Sequence, residues 1–180
     1  MGRVSKVQSA EHRKTIVEAA ARLFRQRGLA AVNIADIMAE AGLTHGGFYG
    51  HFSSKEALAV EAIALSFEQV ERAWSSLASG KGVPDFELLA EAYLCSPHGN
   101  KCPMPALAFE VASSPPDSPI RLVYFQGVGR LADMMVRQGT DEKGLALLAA
   151  LVGARLLGLA VRDEALTARI NAAVIAMARG

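Results

Sequence analysis

The 180-residue chain is short of several things that would have pointed elsewhere. It has only two cysteines, Cys95 and Cys102, and no secretory signal at its start, where Met1 to Ser9 is polar and basic. A disulfide scaffold is therefore not expected. Aromatic residues make up 6% of the chain, and no strand-like alternation of apolar and polar residues persists; the reading is all-α. No internal repeat is visible. The longest apolar stretch, Leu145 to Val161, is broken by Arg155, and its clean runs fall short of the ~20 residues a membrane span needs. A buried helix of a cytoplasmic protein without membrane contact is expected. The four histidines are scattered and no nucleophile–base pairing is readable, so neither an enzyme nor a cofactor is expected.

The net charge of +1 hides an uneven distribution. Residues 1–55 hold eight Lys/Arg against four Asp/Glu, a local charge of +4, and residues 56–180 carry −3. A basic head on an acidic body suits DNA at one end and a protein or small molecule at the other. Met1 to Ser9 reads as a flexible arm whose Arg3 and Lys6 could lie along a minor groove or phosphates, or equally as a disordered tail without a role.

Residues Asn33 to Glu56 carry the densest information. Asn33 and Asp36 approximate a capping box. Ile34, Ile37, Met38 and Ala41 form one apolar stripe, and Gly42 can take the left-handed conformation that ends a helix. Leu43 supplies an apolar plug for the corner. Thr44 can cap a second short helix, His45 to His51, which contains three glycines, each disfavouring helix by ~1 kcal/mol relative to alanine. Such a helix is held by its neighbours, and its bare backbone admits close approach of another surface. Phe48 and Phe52 would anchor it, leaving Tyr49 and His51 free to face a phosphate or a base. Ser53 and Glu56 read as a second capping box, and Lys55 beside that helix N-terminus would receive a phosphate.

These residues resemble the DNA-binding domain of TetR-family transcriptional regulators. The resemblance rests on Arg13, Ile16, Ala19-Ala20, Leu23-Phe24, Gly28-Leu29, Asp36-Ile37, Ala41-Gly42-Leu43-Thr44, Gly46, Phe48-Tyr49, His51-Phe52 and Lys55-Glu56-Ala57-Leu58. It covers the first third of the chain. Val32 stands where many members carry a threonine that touches phosphate, and Asn33 is the candidate for that contact. Tyr93-Leu94-Cys95-Ser96-Pro97-His98, ending in Lys101-Cys102-Pro103, resembles one branch of the family. DNA contacts are expected from Asn33, Thr44, His45, Gly46, Gly47, Tyr49, His51 and Lys55. The resemblance implies an N-terminal three-helix helix-turn-helix domain, placed at residues 1–53, and a ligand-binding and dimerisation bundle over residues 54–180.

About nine helices are expected, at 9–27, 34–41, 45–51, 54–78, 84–95, 104–112, 118–138, 141–162 and 165–178. The fourth bears a stripe, Val60, Ile63, Phe67, Val70, Trp74 and Leu77, long enough to belong to both halves. The last two are apolar nearly all round, which implies burial on more than one side. A second copy of the chain is the natural cover, through Leu148, Leu151, Val152, Leu156, Ile170, Val174 and Met177; the resemblance implies the same four-helix dimer seam. Two-fold symmetry would place two readers roughly 34 Å apart on a near-palindromic operator.

The resemblance places a small-molecule effector between the fourth to eighth helices. Trp74, Phe86, Tyr93, Met104, Phe109, Tyr124 and Phe125 mark where its cavity could be. Cys95 and Cys102 admit three readings: a thiol sensor activated at a helix N-terminus, a soft-metal site with His98, or inert packing. No metal is assigned. The expected function is a ligand-responsive dimeric regulator, a repressor released by a small molecule or by thiol modification. The alternative is a helical protein-interaction adaptor without effector.

Overall fold

The computed structural model describes residues 6–77, 85–95, 102–137 and 140–179, and every regular element in them is helical. The elements are α1 (Lys6–Arg27), α2 (Ile34–Glu40), a 3-10 segment (His45–Gly50), α3 (Lys55–Ser75), α4 (Phe86–Cys95), α5 (Pro103–Ser113), α6 (Pro119–Val136), α7 (Asp141–Val161) and α8 (Glu164–Arg179). Element order follows the apolar periodicity, and boundaries differ by up to three residues. The expected breaks at Ser79–Gly82 and Gly139, and most of the one at Ser96–Pro103, lie outside the described residues.

Ile16, Ala19, Ala20, Leu23 and Phe24 of α1 are buried against α2 and α3, together with Val32, Ile37, Met38, Phe48, Phe52 and Leu58. The N-terminal reading needs one correction: Lys6 to Ser9 already belong to α1 rather than to an arm, and Met1 to Ser5 lie outside the described residues.

Helix α3 joins the two ends of the molecule. It packs on α1 in the head and on α6 in the body. Ile63, Phe67, Val70 and Trp74 are buried along it, at the spacing that puts them on one face. In the body, α5 packs on α6 and α7, and α8 packs on α4 and α7. The described residues include one helix, α7, long and apolar enough to cross a membrane by composition alone. Leu147, Leu148, Leu151 and Ala154 turn its inner face into the body, while Leu145, Leu156, Leu157, Leu159 and Val161 are exposed. Helix α8 is barer still, with Ala178 its only buried residue.

Candidate nucleic-acid interface and effector region

The turn around residues 28–54 is built by local chemistry. Asn33 caps α2 with a full capping box: Asp36 N donates to Asn33 Oδ1 at 2.8 Å, and Asn33 N donates to Asp36 Oδ2 at 3.2 Å. Gly42 has φ +69°, as its place after α2 required. Its N–H donates to Ala39 O at 3.0 Å, and the Leu43 N–H to Met38 O at 2.8 Å, closing the corner.

Three local expectations are corrected. His45–Gly50 is a 3-10 helix rather than an α-helix. Glycines 46, 47 and 50 bring no side chains to stabilise α-turns, and a short tight helix is the form such a segment adopts. Thr44 occupies the cap position but its hydroxyl makes no capping hydrogen bond. Ser54, not Ser53, caps α3, accepting from Ala57 N at 3.0 Å.

The 3-10 segment splits its side chains sharply. Phe48 is fully buried, with its ring 5.8 Å from Phe52. Tyr49, the next residue, is 67% exposed and stands edge-on to Phe48. Thr44, His45, Gly46 and Gly47 are exposed beside it, and His51 and Lys55 are half-buried on the following turn. Asn33 is exposed, but Val32 before it is buried and turned away from this surface. Arg13 stacks over the Phe52 ring at 4.5 Å and makes a two-pronged pair with Glu61 at 2.5 Å on each arm. Glu61 raises the Arg13 pKa chiefly through this hydrogen bonding. The pair locks α1 to α3 behind the exposed face.

In the body, Trp74, Phe86, Tyr93 and Met104 are buried together, with the Trp74 and Tyr93 rings edge-on at 6.1 Å. Tyr124 is half-buried and its hydroxyl donates to Met104 O at 2.7 Å. Phe109 and Phe125 do not belong to this interior, being 84% and 71% exposed. Each lies two residues from a buried neighbour, Leu107 or Val123, which turns it ~200° round the helix and onto the outer face. Phe125 instead borders a surface hollow of ≈ 670 Å³ with Arg121, Leu122, Tyr124 and Val128. Phe109 borders another of ≈ 440 Å³ with Leu29, Lys55, Ala59, Glu110 and Ile120.

Of the three readings of the thiols, burial bears most on the sensor one. Cys102 makes no side-chain capping hydrogen bond but does occupy the N-cap position of α5, with Pro103 as the first helical residue. Yet it is 3% exposed, and burial pushes its thiol up to about 11. Desolvation outweighs the helix terminus, so Cys102 is not an activated thiolate. Burial likewise raises Tyr93, and Tyr124 to about 12. Cys95 is exposed. His98 and Lys101 lie outside the described residues, among which no three metal-ligating side chains cluster.

The expected dimer residues divide. Leu148 and Leu151 are buried within this chain, on the inner face of α7. Val152, Ile170 and Val174 are half-buried, and Leu156 and Met177 exposed.

Besides the Arg13–Glu61 pair, two polar contacts between head and body escaped sequence reasoning. Arg25 on α1 donates to Ser66 Oγ on α3, and burial, with help from Arg22, lowers its pKa. Glu110 on α5 accepts from the backbone just beyond α1. Each joins residues 41 or more positions apart, and neither side chain carries a spacing signal.

The comparisons with known proteins agree with this geometry. Residues 16–62 match the profile of bacterial regulatory proteins of the tetR family. An uncharacterised helix-turn-helix regulator of Bacillus subtilis, YerO, is 37% identical over 83 residues, 44% of this chain and 28% of that protein. The Pseudomonas putida regulator TtgR is 42% identical over 69 residues, 38% of this chain and 32% of that one. The chain thus spans about a third or less of these curated relatives. Fold similarity extends much further. A TetR regulator of Chloroflexus aurantiacus superposes with a TM-score of 0.78 at 23% identity, over 94% of this chain and 95% of the other. The reduced form of Escherichia coli NemR gives 0.73 at 20%, over 91% and 95%. The head, residues 16–62, thus matches the tetR family of bacterial regulatory proteins in sequence, and the chain shares the fold of such regulators along nearly its whole length.

Proposed function

We propose that the protein is a cytoplasmic, dimeric DNA-binding regulator, a repressor released from a near-palindromic operator by a small molecule. The observation that carries the DNA-binding part is the 3-10 segment. It exposes Tyr49 beside three glycines, with His45, His51 and Lys55 around it, while Phe48 pins it from behind. A surface of bare backbone, one aromatic hydroxyl and basic side chains can approach phosphates closely. Tyr49, Lys55, Thr44 and Asn33 are assigned to phosphates, and His45, Gly46, Gly47 and His51 to the groove. We place the boundary between the DNA-binding and effector domains at the start of α3, with 1–53 before it and 54–180 after.

Dimerisation is supported by the exposed apolar side chains of α7 and α8, a face that one copy leaves wet. Val152, Leu156, Ile170, Val174 and Met177 are the residues proposed for the seam. The effector is placed against Trp74, Phe86, Tyr93, Met104 and Tyr124. The neighbour EbrR was solved with imidazole bound and shares the fold with a TM-score of 0.63. The raised Cys102 thiol favours a small-molecule signal over thiol modification.

A gel-shift with DNA from upstream of the protein's own gene tests the proposal. Binding that weakens steeply with salt is the expected result, as released counterions require. No shift with any promoter DNA at low salt would sink it and leave the helical adaptor as the better reading.

A further inference from the structure

Helix α1 ends at Arg27, and Gly28 follows with φ +83°. The next two backbone N–H groups are those of Leu29 and Ala30. Neither bonds to the head. Leu29 N donates to Glu110 Oε2 at 2.7 Å and Ala30 N to Glu110 Oε1 at 2.8 Å. One carboxylate from α5 thus takes both donors of the turn that leads into α2. The site is an unfavourable place for an anion, since the C-terminal end of a helix is the negative end of its dipole. Two short charge-assisted bonds offset that opposition.

The turn is also shaped to receive this side chain. A Cβ on residue 28 would lie 2.9 Å from Glu110 Oε2 and 3.1 Å from Oε1. Gly28 therefore serves twice, through its positive φ and through the room it leaves. At the other end, α5 is anchored in the body by Met104, Leu107 and Val111, all buried. Glu110 and Lys55 border the same hollow. A displacement of α5 would reach the turn before α2 directly, next to the start of α3.

We infer that Glu110 is a positioning residue: its carboxylate ties the body to the turn at residues 28–30 and holds the DNA-reading head in its operator-binding orientation. This deepens the DNA-binding reading and rests on it. The tie prepays part of the ordering that two heads need to meet successive grooves together. Without it, each head samples more orientations and operator binding weakens.

The test uses the full-length protein and a duplex selected by the wild type from a random library. Glu110→Ala removes both acceptors, and Glu110→Gln keeps the shape with one neutral acceptor. Glu56→Gln removes a carboxylate from the same hollow without touching the turn. In Glu110→Ala, the Leu29 and Ala30 amides should exchange at least about tenfold faster, the scale of a lost hydrogen bond to a charged group. Operator affinity should fall by about tenfold, with an unchanged slope of log K against log salt, because the phosphate contacts remain. Glu110→Gln should fall between, and Glu56→Gln should match the wild type in exchange. Circular dichroism checks that all three are folded. Wild-type exchange and affinity in a folded Glu110→Ala overturn the inference. So does an equal loss of affinity in Glu56→Gln, which would make the effect one of charge alone. If the wild type selects no duplex, the DNA-binding reading falls and the operator-orienting role falls with it.

Discussion

Gly127 on α6 lies so close to Phe67 on α3 that a Cβ at position 127 would sit 2.3 Å from the Phe67 ring. Phe67 is fully buried, so the ring cannot swing aside into solvent. The packing of the long helix on the body depends on this missing side chain.

Gly127→Ala should therefore destabilise the protein despite alanine's better helix propensity. Overpacking of this kind costs roughly 1–3 kcal/mol, against a propensity gain of ~1 kcal/mol. Urea unfolding followed by circular dichroism measures the difference. A variant as stable as the wild type would show that α3 and α6 can separate at little cost.

At the exposed 3-10 segment, Tyr49→Phe and Lys55→Ala should weaken binding to every DNA sequence alike. Phosphate contacts set position and carry no base information. For Lys55→Ala, the slope of log K against log salt should shrink by roughly 0.9, the value of one phosphate contact. His45→Ala should shift base preference instead. Selection from a random library separates the two, and an unchanged preference in His45→Ala would place the base-reading face elsewhere.

The two thiols should behave oppositely. Cys95 is exposed and Cys102 is buried, so iodoacetamide should label Cys95 in the native protein and Cys102 only on unfolding. Mass spectrometry of the labelled peptides reads this directly. The burial that raises Cys102 from 9.0 to about 11 also ties stability to pH. Its folded pKa exceeds the unfolded one, so the native state holds the proton more tightly. That contribution is complete below the unfolded pKa and is lost as pH rises from 9.0 towards about 11. Tyr93 and Tyr124, both raised, act with the same sign. Cys102→Ala should flatten the alkaline fall in stability, and an unaltered profile would count against the buried, protonated thiol.

Substitutions at Met177 and Leu151 should separate the proposed assembly from folding. Met177 is exposed on α8, whereas Leu151 is fully buried in α7. Met177→Glu should yield a folded monomer by sedimentation velocity. Leu151→Ala should instead lower stability by about 2–5 kcal/mol through the cavity it leaves. A dimer that survives Met177→Glu would move the seam away from the end of α8.

Local signals were read well where local chemistry decides. Asn33 with Asp36, and Gly42 with its positive φ, follow from rules that span four residues or fewer. The aromatic stripe shows the limit of such rules. Phe109 and Phe125 are as apolar as Trp74 and Phe86, yet they face solvent. Composition identifies side chains that can line a cavity, and only the helix's rotation against its neighbours selects the ones that do. Leu151 and Leu156 divide in the same way on α7, one inside the chain and one outside it. Of the three readings open for Cys102, the sensor one needs a helix N-terminus that lowers the pKa, and here that terminus is itself buried.

The sequence alone determined the all-α class, the helix order and the character of the head, because periodicity, caps and glycines act over one or two turns of chain. Tertiary structure decided which apolar residues are core and which are exposed. It decided that a thiol at a helix terminus is protonated. It also joined Glu110 to Leu29 and Ala30 across 80 or more residues. Those outcomes depend on distance in space and exclusion of water, which no spacing along the chain encodes.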